Sequence, residues 1–278
     1  MLIMNFVLIT DLDGTLLGHN DFDFTLIKLE ILKLLDAGHI LVIASSKTKA
    51  EIENFCDELG RTVPFIHENG AGVENFSLLS GCEAPPNIHQ NHKAIRTDAL
   101  LTIWERSISL DLKSLCHFVK DMDRGAQQAC LGLGATALER AMKRSFSLPF
   151  IFSGPSPDSQ ELKDLATKAG LSVQQGGRVY NLSGCHDKAD YLPEIRKWAS
   201  KVKITPVLIV LGDGKNDMKM LKQADISCVI PNKNGDLLSL GDGNYPTIIA
   251  PRAAPLGWLD AVMEAMSLFP VKEGVHYG

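Results

Sequence analysis

The sequence predicts an α/β protein: a parallel-sheet core into which an α+β segment is inserted. Three observations lead there. Short, continuous apolar runs, the kind buried on both faces of a parallel sheet, alternate with amphipathic helical stretches at the start of the chain. The same alternation returns near its end. The stretch between carries hairpin and helix signals of another kind, as expected of a separate layer.

Residues 6–10, Phe-Val-Leu-Ile-Thr, form the first apolar run and read as a buried strand. Over 24–37, Phe24, Ile27, Ile31, Leu34 and Leu35 fall at helical spacing, and Gly38 closes the helix. Residues 40–44 are the next strand, and 50–59 a helix burying Ile52, Phe55, Cys56 and Leu59. Pro85-Pro86 then breaks the chain. Helices are expected near 98–106, 111–121 and 135–146, and a strand at Phe150-Ile151-Phe152. Residues 171–175 and 178–182 flank Gly176-Gly177, a hairpin signal. The late block reads as strands at 206–211, 226–230 and 247–250, a short helix at 217–224 and a closing helix at 256–268. The division expected is a core from 1–83 and 186–278 with an insert at 84–185.

Composition excludes several classes. With 278 residues, one large domain or two smaller ones are expected. A net charge of -5 argues against non-specific nucleic-acid binding, which needs dense Lys and Arg. The six cysteines are scattered without a CxxC pair, against structural zinc or a disulfide scaffold and in favour of reduced thiols in the cytoplasm. The apolar first ten residues have no basic lead and do not read as a signal peptide, and no run approaches the ~20 apolar residues of a membrane helix.

The chemistry concentrates where strands end. Asp11-Leu12-Asp13-Gly14-Thr15 comes directly after the first strand, and ligands of open α/β sheets bind at the carboxyl ends of strands. Two carboxylates so placed suit a cation or a divided acid and base role; a solvated turn is the plainer reading. Gly212-Asp213-Gly214-Lys215-Asn216-Asp217 ends a late strand in the same way and adds oxygens for a hard cation, though alone it would pass for a turn with a helix cap. Ser45-Ser46-Lys47-Thr48 ends another strand with hydroxyls and a lysine. It lacks both glycines of a nucleotide-binding loop, so it is read as an anion grip at a helix start, or else as an ordinary N-cap. Lys188 opens a helix after the insert; by itself it would be a solvated lysine.

DLDGT, a strand ending in Ser45, Lys188 and GDGKND, in this order, resemble the haloacid dehalogenase superfamily of phosphatases over the whole chain. The resemblance implies a Rossmann-like parallel-sheet core with the insert as an α+β cap domain. Within the superfamily, Ser45–Thr48, Glu68-Asn69-Gly70-Ala71, Arg144 with Ser147 and Pro149, Gly176-Gly177-Arg178 and Pro255-Leu256-Gly257-Trp258 resemble the mannosyl-3-phosphoglycerate phosphatases. One position departs: Leu148 stands where a glutamate is expected.

By that resemblance, Asp11 is the nucleophile that forms an aspartyl-phosphate, and Asp13 is the acid and then the base. Asp13 is expected to be protonated at the outset, held so by burial or hydrogen bonding. Mg2+ is implied, held by Asp11, Asp213, Asp217 and the backbone carbonyl of Asp13. Ser45 and Lys188 are implied phosphoryl ligands, with Asn216 and Asp217 supporting Lys188. Ser46, Lys47, Arg144, Ser147 and Arg178 are implied to bind substrate, the two cap arginines being candidates for a carboxylate. The implied partner is a small phosphorylated sugar or glycerate, with no nucleic acid and no membrane, for a cytoplasmic monomer or dimer. Alternatives are a sugar phosphatase of other specificity, a phosphomannomutase-like enzyme, and a non-catalytic binding protein, which would be expected to lose Asp11 or Asp13.

Overall fold

The computed structural model describes residues 6–19, 21–84, 87–176, 178–201, 206–232, 234–241 and 246–269. Pro85, Pro86 and Gly177 lie outside them. The chain opens with β1 (Phe6–Thr10), α1 (Thr25–Asp36), β2 (Ile40–Ala44), α2 (Lys49–Leu59), β3 (Phe65–His67) and β4 (Gly72–Glu74). It continues through α3 (Thr97–Ser107), α4 (Leu110–Ser114), β5 (Cys116–Phe118), α5 (Arg124–Leu131), α6 (Ala135–Ala141), β6 (Ser147–Phe152), α7 (Ser156–Lys168), β7 (Leu171–Gln175) and β8 (Tyr180–Gly184). It returns through α8 (Leu192–Ala199), β9 (Val207–Gly212), α9 (Met218–Leu221), β10 (Ile226–Val229), β11 (Thr247–Ile249) and α10 (Leu256–Ser267).

The fold is α/β with a parallel-dominated sheet. Seven strands run in the order β11-β10-β9-β1-β2-β3-β4, and only the edge strand β4 is antiparallel. β1 is wholly buried, as its apolar run requires, because both faces are covered. On one face Leu8, Leu41, Ile43 and Ile209 pack with Ile27 and Ile31 of α1, Ile52 and Phe55 of α2, and Trp258 of α10. On the other, Val7, Ile9, Val42 and Val210 pack with Leu192, Ile195 and Trp198 of α8. The consequence for function is positional. β1 lies between β2 and β9, where the connections diverge, and the loops beyond their carboxyl ends line one crevice.

A second, antiparallel sheet of four strands, β5-β6-β8-β7, has its own core around Trp104 of α3, Phe150, and Leu162 of α7. Here local periodicity misled in places. The expected helix over 111–121 stops at Ser114, because Cys116–Phe118 pairs with Phe150–Phe152 as an edge strand. The expected helix over 135–146 ends at Ala141, since the backbone N–H groups of Ser145 and Phe146 are captured from outside by Glu68. The hairpin's second strand begins two residues late, at Tyr180, because Gln175 pairs with Tyr180 around a longer turn. The short helix expected over 217–224 is a 3-10 turn at Lys215–Asp217 leading into α9, which ends at Leu221. Helix α5, missed in the sequence, starts on an Asp123 cap and stops at left-handed Gly132.

Candidate active site

Asp11 leaves β1 with its backbone N–H still bonded to the Leu211 carbonyl of β9. The chain then turns at Gly14, whose φ of +81° favours glycine; a Cβ there would lie 2.7 Å from Asp213 Oδ2. That close approach brings the two strand-end motifs together. Buried Thr15, the last residue of DLDGT, donates from Oγ1 to Asp213 Oδ1 at 2.6 Å. Sequence reading gave Thr15 no role; its only signal was its place in the motif. Asp213 comes directly after β9, and the backbone N–H groups of Asp213 and Gly214 bond Asp217 Oδ2 at 3.2 and 3.0 Å.

Lys188 is far from an ordinary solvated lysine. It opens a 3-10 turn held by a reciprocal cap between Asp187 and Asp190. It is 1% exposed, with Nζ 3.0 Å from Asp11 Oδ1 and 2.7 Å from Asp217 Oδ1. Burial opposes its charge, but the two carboxylates outweigh that, and its pKa is raised. Burial also pushes the Asp213 carboxyl up to about 7, with Asp217 and Asp11 adding repulsion against the Thr15 hydrogen bond and Lys188. Burial raises Asp217 as well, though Lys188 holds it down.

Ser45 follows β2 directly and is wholly buried, and its Oγ accepts from the Lys47 N–H at 3.3 Å. Neither Ser45 nor Ser46 caps the next helix. Thr48 does, in a capping box with Glu51, which frees the serines from that duty. Lys47 Nζ lies 2.8 Å from Asp13 Oδ1, 3.8 Å from Glu51 Oε1 and 4.8 Å from the Phe22 ring centre. The Asp13 side chain is 38% exposed as a whole, while its Oδ1, shielded from water, is the atom paired with Lys47.

The loop after β3 joins the parts. Glu68, Asn69 and Gly70 take φ of 45°, 58° and 101°, and a Cβ on Gly70 would collide with the Asp187 backbone beside Lys188. Asn69 Oδ1 accepts from Asn216 Nδ2 at 3.5 Å. Glu68, buried, accepts from the N–H of Ser145 and Phe146 at 3.0 Å each and from Ser147 Oγ at 2.6 Å. Arg144 Nη1 donates to the Ser46 carbonyl at 3.3 Å and to Ser147 Oγ at 2.9 Å. Thus Ser46, Arg144 and Ser147 are gathered at the junction of the two sheets. Arg178 is not: it is exposed, its guanidinium lies against Gly132, and it makes no hydrogen bond to the cluster. Leu148 is 5% exposed within the core of the four-stranded sheet, because alternate residues of β6 face opposite sides. A glutamate there would point into apolar packing.

Asp11, Asp213 and Asp217 each offer an oxygen within 4.8 Å of the others, a set able to hold a metal ion. Their claims differ. Both Asp217 oxygens and Asp11 Oδ1 are engaged within the chain, whereas Asp213 Oδ2 faces Gly14. An all-oxygen set suits a hard divalent cation, and three carboxylates against one lysine leave negative charge to offset. A pH dependence is the consequence. The folded state holds a proton on Asp213 more tightly than the unfolded chain does, so unfolding releases protons. Without metal, stability should fall as pH rises between about pH 4 and about pH 7. Excess Mg2+ should cancel the fall, because it favours the ionised carboxylates. Thermal denaturation across that range, with EDTA and with Mg2+, checks this; parallel curves would refute it.

Residues 8–103 match the haloacid dehalogenase-like hydrolase family. A glucosyl-3-phosphoglycerate/mannosyl-3-phosphoglycerate phosphatase of Persephonella marina is 30% identical over 276 residues, covering 94% of this chain and 97% of that protein. A protein of the same description from Methanococcoides burtonii is 28% identical over 278 residues, with the same coverage of 94% and 97%. Among solved structures, a HAD-superfamily phosphatase of Bacteroides thetaiotaomicron superposes with a TM-score of 0.61 at 17% identity, covering 96% of each chain. A HAD subclass IIB sugar phosphatase gives 0.59 at 16% identity, covering 95% of this chain and 99% of the other. These structures share the fold. Among the described residues, no helix is long and apolar enough to cross a membrane.

Proposed function

We propose, since this chain belongs to the haloacid dehalogenase-like hydrolases and is a phosphatase among them, that it hydrolyses a glycosyl-3-phosphoglycerate with Mg2+. The observation that carries the chemistry is Lys188, bridging Asp11 and Asp217 at 3.0 and 2.7 Å beside Asp213. A lysine locked there neutralises one carboxylate equivalent and leaves its remaining donor for a phosphoryl oxygen.

Asp11 attacks phosphorus through Oδ2, because Oδ1 is held by the Leu12 N–H at 2.7 Å and by Lys188. The P–O ester bond breaks, and Asp13 gives a proton to the departing alcohol oxygen. Asp13 then takes a proton from water as water attacks phosphorus, and the P–O bond to Asp11 breaks to release phosphate. The Ser45 hydroxyl and Lys188 bind the equatorial oxygens. Asp11, Asp213 and the Asp13 carbonyl would hold Mg2+, which supplies charge that lets a carboxylate approach a phosphate dianion. The segment 84–185 serves as the cap over the core of 1–83 and 186–278, latched through Glu68 to residues 145–147. Closing it excludes water from the first step.

The substrate reading draws on the named relatives and on where the cations lie. The glycosylglycerate leaving group carries a carboxylate separated from the scissile oxygen by two carbons. Lys47, already paired with the proposed acid, is the cation we propose meets that carboxylate. Arg144, rather than Arg178, is the arginine positioned to assist.

A panel of mannosyl- and glucosyl-3-phosphoglycerate, hexose phosphates and p-nitrophenyl phosphate tests this by phosphate release. The glycerate esters should give the highest kcat/KM; equal rates on hexose phosphates would remove the substrate assignment. Lys47→Met should lower kcat/KM on the glycerate esters by about 10- to 100-fold, the worth of a charged hydrogen bond. The loss on p-nitrophenyl phosphate should be smaller.

A further inference from the structure

Trp258 belongs to the Pro-x-Gly-Trp stretch, and no step of the reaction uses it. Its ring is 0% exposed, packed between α10 and the sheet. The indole Nε1–H donates to Thr10 Oγ1 at 3.0 Å. The Thr10 hydroxyl donates in turn to the Asp11 backbone carbonyl at 2.7 Å. That carbonyl belongs to the peptide unit whose N–H, on Leu12, donates to Asp11 Oδ1 at 2.7 Å. The peptide unit is planar, so fixing its carbonyl fixes the direction of its N–H. The four groups form one directed chain from indole to hydroxyl to peptide to carboxylate, each donor polarised by the one before it.

A buried indole needs some acceptor, and a backbone carbonyl would serve that purpose alone. Here the acceptor is the side chain that precedes Asp11, and its own proton is spent on Asp11. Thr10 and Asp11 face opposite sides of β1, so the chain carries an orienting contact through the sheet from the closing helix. We infer that Trp258 and Thr10 are positioning residues that orient the Asp11 carboxylate, pinning Oδ1 so that Oδ2 is the oxygen presented to phosphorus. The inference rests on the assignment of Asp11 as nucleophile.

The test compares Trp258→Phe, Thr10→Val, Thr10→Ser, the Trp258→Phe/Thr10→Val double variant and Asp11→Asn. Phosphate release from p-nitrophenyl phosphate with Mg2+ is measured in the full chain, per folded enzyme, with thermal denaturation as the folding check. Thr10→Val, of the same shape without the hydroxyl, should lower kcat about tenfold, the scale of a small misplacement of a reacting group. KM should stay near wild type. Trp258→Phe should lower kcat less, Thr10→Ser should retain it, and the double variant should lose no more than Thr10→Val. If Thr10→Val and Trp258→Phe lower thermal stability but turn over like wild type, while Asp11→Asn is inactive, the relay is wrong and the nucleophile stands. Multiplying losses in the double variant also overturn the relay. If Asp11→Asn remains active, the nucleophile assignment fails and the relay fails with it.

Discussion

Asp11→Asn should abolish turnover, by roughly 10^4-fold or more, since the substitution removes the proposed nucleophile. The substitution preserves shape, and an amide oxygen can still accept from the Leu12 N–H. It removes one negative charge from three crowded carboxylates, so the metal-free variant should denature no lower than wild type. Loss of activity without loss of stability identifies a chemical role. Phosphate release from p-nitrophenyl phosphate, measured beside thermal denaturation, reads both. Turnover near the wild-type rate would remove Asp11 from the first step.

Lys188→Met should be damaging in both respects. The lysine is the only cation paired with Asp11 and Asp217 among the described residues, and its side chain is fully buried. Removing one partner of a buried ion pair costs about 3–5 kcal/mol, because the remaining charge stays unpaired. For a chain of this size that is a fall in Tm of roughly 6–20 °C. Adding Asp217→Asn to Lys188→Met should recover part of the stability, since one unpaired charge is gone, but none of the activity. A wild-type Tm for Lys188→Met would show that the lysine does not balance the cluster.

The same cluster explains why the site was partly legible before the fold was known. Asp11 and Asp213 each come at the end of a continuous apolar run, and such a run is a strand whose end opens on the crevice. No local pattern could assign Lys188. Its neighbours Asp11 and Asp217 are remote in sequence, and a lone lysine is solvated in most chains. Glu68 is similar. Only a resemblance drew attention to it, and its work is done on residues 145–147 of the other sheet. Arg178 shows the reverse case, a motif residue left on the surface beside Gly132.

Local pattern was enough to establish the α/β class, five of the seven core strands in their order along the chain (all but β3 and β4), and which carboxylates stand at their ends. These depend on backbone periodicity and burial, which act over a few residues. The sharing of charge was settled by folding alone. Asp217 spends both oxygens inside the chain, Asp213 keeps one facing Gly14, Asp13 pairs with Lys47, and Leu148 packs inward. Folding likewise made residues 116–118 pair as a strand instead of continuing a helix. Each of these outcomes depends on partners distant in sequence, and buried polar groups take whatever partner the packed chain places within reach.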